Sequence, residues 1–206
     1  METLASRALN DWEHFKKTYV SSAVLNRQWD LVTDELFSGC YAVQVFNEDF
    51  CKQFIEEAEE HGGWGGIYGD AVPGPDLLLE NFGFDDFYKK ALRELIHPAV
   101  IYMYHLEEVM EDVSEDERFQ MKNFVIKYTL ETQSHLALHH DFSGITTLLT
   151  LNDDYEGGGT WFPDHKQLIK GNPGCVTMHP GMFTHRHGAR PVSKGARYVV
   201  VNFNNW

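Results

Sequence analysis

The sequence predicts an α+β protein that is mainly β, with a helical N-terminal layer braced against a β-rich C-terminal core. Three observations lead there. Apolar and charged residues recur at helical spacing through most of the first half, and from about residue 122 the apolar period shortens to two. That second part holds about eight short candidate strands separated by Gly, Pro, Asn and Asp turns, the pattern of a sandwich, jelly roll or barrel. The chain has 206 residues, 43% hydrophobic and 14% aromatic, which is enough for one well-packed domain but hardly for two independent cores.

Taken in order, residues 3–20 and 24–37 mix apolar and charged side chains at helical spacing, and CYAVQVF (40–46) alternates as a short strand. A helix follows, with Asn47 as N-cap, an apolar stripe of Phe50, Cys51, Phe54, Ile55 and Ala58, and Gly62 as its stop. The Gly/Pro loop 63–76 suits a substrate-facing lid as well as a connector. A second long helix reads through DDFYKKALRELIHPAVIYMYH, with a break or kink at Pro98. Residues 107–117 hold seven carboxylates in eleven positions; a solvated face is the favoured reading, and a lure for a lysine-bearing peptide is the sharper one. The candidate strands are NFVIKYTL, SHLALHHD, ITTLLTLN, GGTWFPD, KQLIK, GCVTMHP, MFTHRHG and ARYVVVNF.

The formal net charge of −14 argues against a phosphate-tracking groove, so no nucleic-acid partner is expected, and a cationic substrate fits the field better. Cys40, Cys51 and Cys175 form neither a disulfide framework nor a zinc cluster by their spacing, although one bridge stays open. The N-terminus lacks a basic segment followed by an apolar run, and nothing approaches 18 consecutive apolar residues. As written the chain is expected to be soluble and cytoplasmic, with the lumen of the endoplasmic reticulum as its place if it is part of a longer protein.

The chemistry concentrates in the histidines. Seven of eleven lie in the C-terminal part: His135, His139, His140, His165, His179, His185 and His187. On a strand, His139 and Asp141 point one way and His140 the other. A nitrogen and a carboxylate oxygen on one face, joined by a second histidine from a remote strand, would make the facial triad of non-haem Fe(II) oxygenases. Alone, His-x-Asp is weak, since such a pair is more often a hydrogen-bonded or surface accident. The third ligand would come from THRHG, where His185 and His187 share a face and alternation does not choose between them. Arg197, ten residues beyond His187 and the one basic residue in its apolar strand, could hold the far carboxylate of a dicarboxylate cosubstrate; the plainer reading is an edge arginine reaching to solvent.

At this point the stretches HHDFSGITTLLTLNDDYEGGGTWF and MHPGMFTHRHGARPVSKGARYVVVNF resemble the C-terminal dioxygenase domain of procollagen lysyl hydroxylases, which are Fe(II)- and 2-oxoglutarate-dependent oxygenases. The family's HHD, DYEGGG, HPG, T-H-x-H and G-x-R-Y follow one another here in order. The resemblance covers roughly residues 38–206 and sets residues 1–37 apart as a helical extension. It implies a double-stranded β-helix (jelly-roll) core. It assigns His139, Asp141 and His187 as iron ligands and Arg197 as the partner of the distal carboxylate of 2-oxoglutarate. His140 and His185 become structural or orienting residues. It implies Fe(II), 2-oxoglutarate and ascorbate as cofactors, a collagen-like peptidyl lysine as substrate, and a homodimer as the assembly. The chain departs from the family in a tighter LNDDYEGGG and in Phe142, Gly144 and Leu148, near the cosubstrate and substrate mouth, which bears on substrate choice more than on chemistry. The family's glycosyltransferase domains have no counterpart here, so a free-standing or excised oxygenase is expected.

Tyr128 is weighed evenly between a hydrogen bond to 2-oxoglutarate and a satisfied core hydroxyl, and Thr150 similarly with the core reading ahead. The Gly157–Gly159 run lacks the lysine of a phosphate cradle and reads as a tight turn. Trp64 and Trp161 fit a core better than a cleft, and Cys175 near His179 fits a buried thiol better than a nucleophile. Two rivals stand beside lysyl hydroxylation. One is a same-fold hydroxylase of prolyl residues or a free amino acid, separable by the peptide it needs; the other is a cupin-like binding module, for which the triad and Arg197 would not both be expected.

Overall fold

The computed structural model describes residues 2–65, 74–108 and 120–205. Most of the lid candidate (66–73) and of the acidic run (109–117) lies outside the described residues. Four short helices open the chain: α1 (Leu4–Asn10), α2 (Trp12–Tyr19), α3 (Ser22–Leu25) and α4 (Trp29–Val32). Asp11 both ends α1 and starts α2, its carboxylate accepting the His14 N–H. The helix expected over 24–37 is corrected in its second half. Thr33–Phe37 forms strand β1, which pairs antiparallel with β2 (Cys40–Gln44). The edge of β2 offers these residues backbone partners that an isolated helical turn lacks.

Helix α5 (Glu48–His61) has the caps its sequence predicts, with the Asn47 side chain accepting from Phe50 N–H at 3.0 Å and Gly62 at φ +67. Its buried face is Phe50, Cys51, Phe54 and Ala58. Strand β3 (Asp76–Leu78) and helix α6 (Asp85–Ala91) follow, and a π-helical turn, Leu92–Ile96, leads into α7 (His97–Tyr104). The irregularity predicted from Pro98 is this widened turn, which absorbs a residue with no N–H to donate.

The remaining strands are β4 (Gln120–Thr129), β5 (Ile145–Thr150), β6 (Glu156–Gly157), β7 (Thr160–Phe162), β8 (Gln167–Ile169), β9 (Cys175–Pro180), β10 (Gly188–Ala189), β11 (Val192–Lys194) and β12 (Ala196–Asn205). The large sheet runs β1-β2-β9-β5-β12-β4-β3, every neighbouring pair antiparallel. The small sheets β10-β7-β8 and β11-β6 complete the double-stranded β-helix. Gly157 shows why its turn needs glycine: at φ +76, a Cβ would lie 2.4 Å from the Pro191 carbonyl oxygen.

Two strand expectations do not hold. SHLALHHD forms no strand, and MFTHRHG contributes only Gly188 to one. Their backbones meet at a single bridge, His139 to His187, with reciprocal N–H···O contacts of 2.8 and 2.9 Å. Period-two patterning reports an extended chain; it does not guarantee a neighbour along the whole length.

The pleat divides the core. Val125, Leu149, Tyr198 and Val200 pack toward the helices, in one cluster with Leu4, Phe15, Phe50 and Phe87. Phe124, Ile126, Tyr128, Leu148, Val199 and Val201 point the other way, into the space under the small sheets. With both faces covered, all six residues of β5 are buried. The functional groups lie in that second space.

Candidate metal centre and pocket

The metal-ligand candidates converge because the bridge fixes His139 beside His187. The Nδ1 of His139 lies 2.7 Å from the Ala137 carbonyl, and that of His187 lies 3.0 Å from the His185 carbonyl. A carbonyl only accepts, so each ring donates from Nδ1 and turns the Nε2 lone pair toward Asp141. His139 Nε2 is 3.2 Å from Asp141 Oδ1, and His187 Nε2 is 3.6 Å from Oδ2. One ligand atom from each residue falls within 4.8 Å of the others. Two lone pairs aimed at a carboxylate repel it, and a divalent cation between them turns the repulsion into coordination. Two imidazoles and one carboxylate are the donor set that suits ferrous iron with open positions.

Asp141 is held from behind. The Thr146 hydroxyl donates to Oδ2 at 2.6 Å, which leaves Ser143, 2.7 Å away, to donate to Thr146. Burial would raise the Asp141 carboxyl; the Thr146 hydroxyl opposes that, and His187, His139 and His179 pull it down only when their rings carry a second proton. His179, fully buried, donates from Nδ1 to the Pro180 carbonyl and brings Nε2 to 3.9 Å from Asp141 Oδ2. Burial pushes it down to about 3, so it stays a neutral ring beside the site. His185 turns away: its Nε2 meets the Ser38 carbonyl at 3.1 Å and its ring stacks on His165. His140 is exposed.

A pocket opens beside the triad. His139, His187, Tyr128 and Arg197 line it, with Phe124, Ile126, Leu148, Val199 and Val201 as an apolar wall. Arg197 is 5% exposed, not an edge residue reaching to solvent. Its Nη2 donates to Thr160 Oγ1 at 3.0 Å, its Cζ lies 5.6 Å from the centre of the Tyr128 ring, and its buried Nε has no hydrogen-bond partner among the described residues. A buried guanidinium with an unused donor fits a carboxylate guest. Burial pushes the Tyr128 hydroxyl up to about 12 against the opposing pull of Arg197, so it remains a neutral donor.

The fold therefore brings His139, Asp141, His187, Arg197 and Tyr128 together. Thr150 packs against the Gly171 turn and is not among the residues lining the pocket. Sequence reasoning missed Thr146, Thr160 and Asp76, which reach the site through strand register. The period-two face shared by Thr146 and Leu148 was the one available signal for the first of these. Cys175 is a buried thiol raised to about 11, and all three cysteines are free.

No family model matches the chain. Human procollagen-lysine,2-oxoglutarate 5-dioxygenase 1 is 32% identical over 207 residues, covering 93% of this chain and 27% of that protein. Mouse procollagen-lysine,2-oxoglutarate 5-dioxygenase 2 is 29% identical over 206 residues, covering 94% of this chain and 27% of that protein. The chain thus spans about a quarter of the length of these curated relatives. Among solved structures, a viral collagen prolyl hydroxylase from Paramecium bursaria Chlorella virus-1 superposes with TM-score 0.56 at 14% identity, covering 82% of this chain and 96% of that one. A Pseudomonas putida prolyl-4-hydroxylase superposes with TM-score 0.57 at 12% identity, covering 81% and 92%. At those identities the structures establish the shared fold. Sequence and fold agree, and the chain is a homologue of the procollagen-lysine,2-oxoglutarate 5-dioxygenases, related to a segment that makes up about a quarter of their length.

Proposed function

We propose that this chain is an Fe(II)- and 2-oxoglutarate-dependent dioxygenase that hydroxylates peptidyl lysine in a collagen-like sequence, releasing succinate and CO2. The observation that carries the reading is the convergence of His139, Asp141 and His187 at one pocket with a buried Arg197 whose Nε is unused. In this reading the triad holds iron and leaves coordination positions open. When bound, the metal and its cosubstrate supply the oxygen chemistry. The protein supplies position and charge. Arg197, steadied by Thr160 and flanked by Tyr128, receives the distal carboxylate, and the apolar wall keeps water from the reacting groups. Ascorbate as reductant and a homodimer as assembly belong to the same reading, supported by the family resemblance. Among the described residues no helix is long and apolar enough to cross a membrane.

The test is succinate formation by the purified chain with Fe(II), 2-oxoglutarate and air, with and without a Gly-X-Lys peptide and beside a His139→Ala control. Peptide-stimulated succinate that is lost in the control, with lysine gaining one oxygen atom, is the expected result. Turnover indifferent to the peptide would overturn the substrate, and none in iron-loaded protein would overturn the oxygenase.

A further inference from the structure

The apolar wall of the pocket continues beyond the pocket. On β12 the face that carries Arg197, Val199 and Val201 runs on to Phe203, which is half-buried and meets the Phe124 ring edge-on at 5.4 Å. At that end of the strand the Gly144 N–H donates to the Asn204 carbonyl at 2.9 Å, which fixes residues 142–144 there. The Gly181 N–H donates in turn to the Gly144 carbonyl at 3.0 Å. A Cβ on Gly181 would lie 2.2 Å from the Ser143 carbonyl oxygen, so glycine is what lets the two segments touch. One segment carries Phe142, directly after Asp141, and the other carries Phe183, four residues before His187. At 82% and 86% exposed, these are the most exposed large apolar side chains among the described residues. A single exposed leucine needs no explanation; two bare phenylalanines on touching segments beside the triad do.

We propose that Phe142 and Phe183 form a docking rim for the substrate peptide, each ring packing against a proline close to the target lysine. This rests on the lysyl hydroxylase reading and names the part of the peptide that the rim reads. Neither ring belongs to the core, so their apolar faces leave water only when a partner covers them. The occupant follows from the continuity of the surface. A peptide whose lysine enters the pocket lays its neighbouring residues along the strip of Phe124, Phe203 and Phe142. Proline suits that strip best. In an extended polyproline II segment it holds a rigid ring outward with little conformational entropy left to lose, and it has no N–H to strip of water. A collagen-like sequence is rich in it.

The experiment titrates two peptides calorimetrically into protein loaded with Mn(II) and 2-oxoglutarate, one with prolines beside its lysine and one with serines there. The proteins are wild type, Phe142→Ser, Phe183→Ser, the double variant and Phe142→Trp, with the oligomeric state of each followed by sedimentation. Leu31→Ser, at a residue 75% exposed elsewhere on the surface, is the control. Wild type should bind the prolyl peptide about tenfold or more tighter than the seryl one, the worth of covering an aromatic face. Each serine variant should lose part of that margin, and the double variant nearly all of it, by weakening the prolyl peptide alone. Phe142→Trp and Leu31→Ser should keep it. A full margin in the double variant, or equal binding of both peptides by wild type, overturns the rim and leaves the lysyl hydroxylase reading intact. Equal weakening of both peptides also overturns it, because a folding defect would do that. A wild-type dimer that the double variant turns into a monomer gives the rings to a second copy of the chain and overturns the proposal. A wild type that binds neither peptide removes the peptide substrate itself, and the rim with it.

Discussion

Thr146 shows how much of the site depends on residues that touch neither metal nor substrate. Its hydroxyl reaches Asp141 Oδ2 at 2.6 Å and is itself met by Ser143, a relay that fixes the plane of the carboxylate. Thr146→Val keeps the shape and deletes the donor. Losses of this kind weaken metal binding about 10- to 100-fold, and a Mn(II) or Fe(II) titration of the variant should show it with the melting profile of the metal-free protein little changed. Arg197→Ala acts elsewhere. Removing a charge-assisted contact worth about 1.5–3 kcal/mol should raise the 2-oxoglutarate requirement roughly 10- to 100-fold, with metal affinity preserved. An unchanged cosubstrate requirement would show that the distal carboxylate is held by another group. At this scale the ligand candidates were legible because three of the relevant residues sit in compact motifs, HHD and T-H-x-H. Thr146, Thr160 and Asp76 were not legible, because a threonine on a strand or an aspartate after Gly-Pro is too common to stand out until register places it.

Elements were legible where local chemistry decides them. Asn47, an apolar stripe and Gly62 define α5 within a few residues, and the alternation of β4 and β12 sorts their side chains onto two faces. Legibility failed where partners are remote. Thr33–Phe37 becomes a strand because β2 is beside it, and residues 134–141 stay irregular because their backbone meets residues 187–192 only at isolated contacts. The packing of α7 on the large sheet also carries a pH dependence. His97 is 5% exposed and its Nε2 lies 2.7 Å from Asn204 Oδ1. Burial pushes it down to about 4, against a smaller upward pull from that hydrogen bond. The folded state therefore takes up the proton later than the unfolded chain. The stability this group contributes is complete above about pH 6.5 and falls as the pH drops toward the folded value of about 4. A shift of this size corresponds to about 3 kcal/mol across that window. Denaturant melts of the metal-free protein between pH 7 and 5 should show the loss, and His97→Gln should flatten part of it. An equally steep profile in the variant would assign the acid sensitivity to other groups.

For the whole molecule, the question is whether the N-terminal helices are an appendage or a layer of the core. Leu4, Ala8, Phe15, Val24 and Trp29 are buried in the same cluster as residues of α5, α6 and the large sheet. The Phe15 ring lies 5.9 Å from Phe50 and 5.1 Å from Phe87, edge-on to both. Helix α5 meets the large sheet on its other side, and the opposite face of that sheet lines the pocket, so the aromatic layer connects the first helices to the site through one helix and one sheet. Removing residues 1–32, ahead of β1, would expose that layer. At about 1.5–3 kcal/mol for each large apolar side chain, and with Phe50 and Phe87 newly exposed as well, the loss is comparable with a typical folding margin of about 5–15 kcal/mol. The truncated chain should therefore lose its cooperative melt and its near-ultraviolet circular dichroism, and should not retain a stoichiometric Mn(II) site. A truncated chain that melts cooperatively within a few degrees of the intact one would instead show that the N-terminal helices lie outside the folding unit.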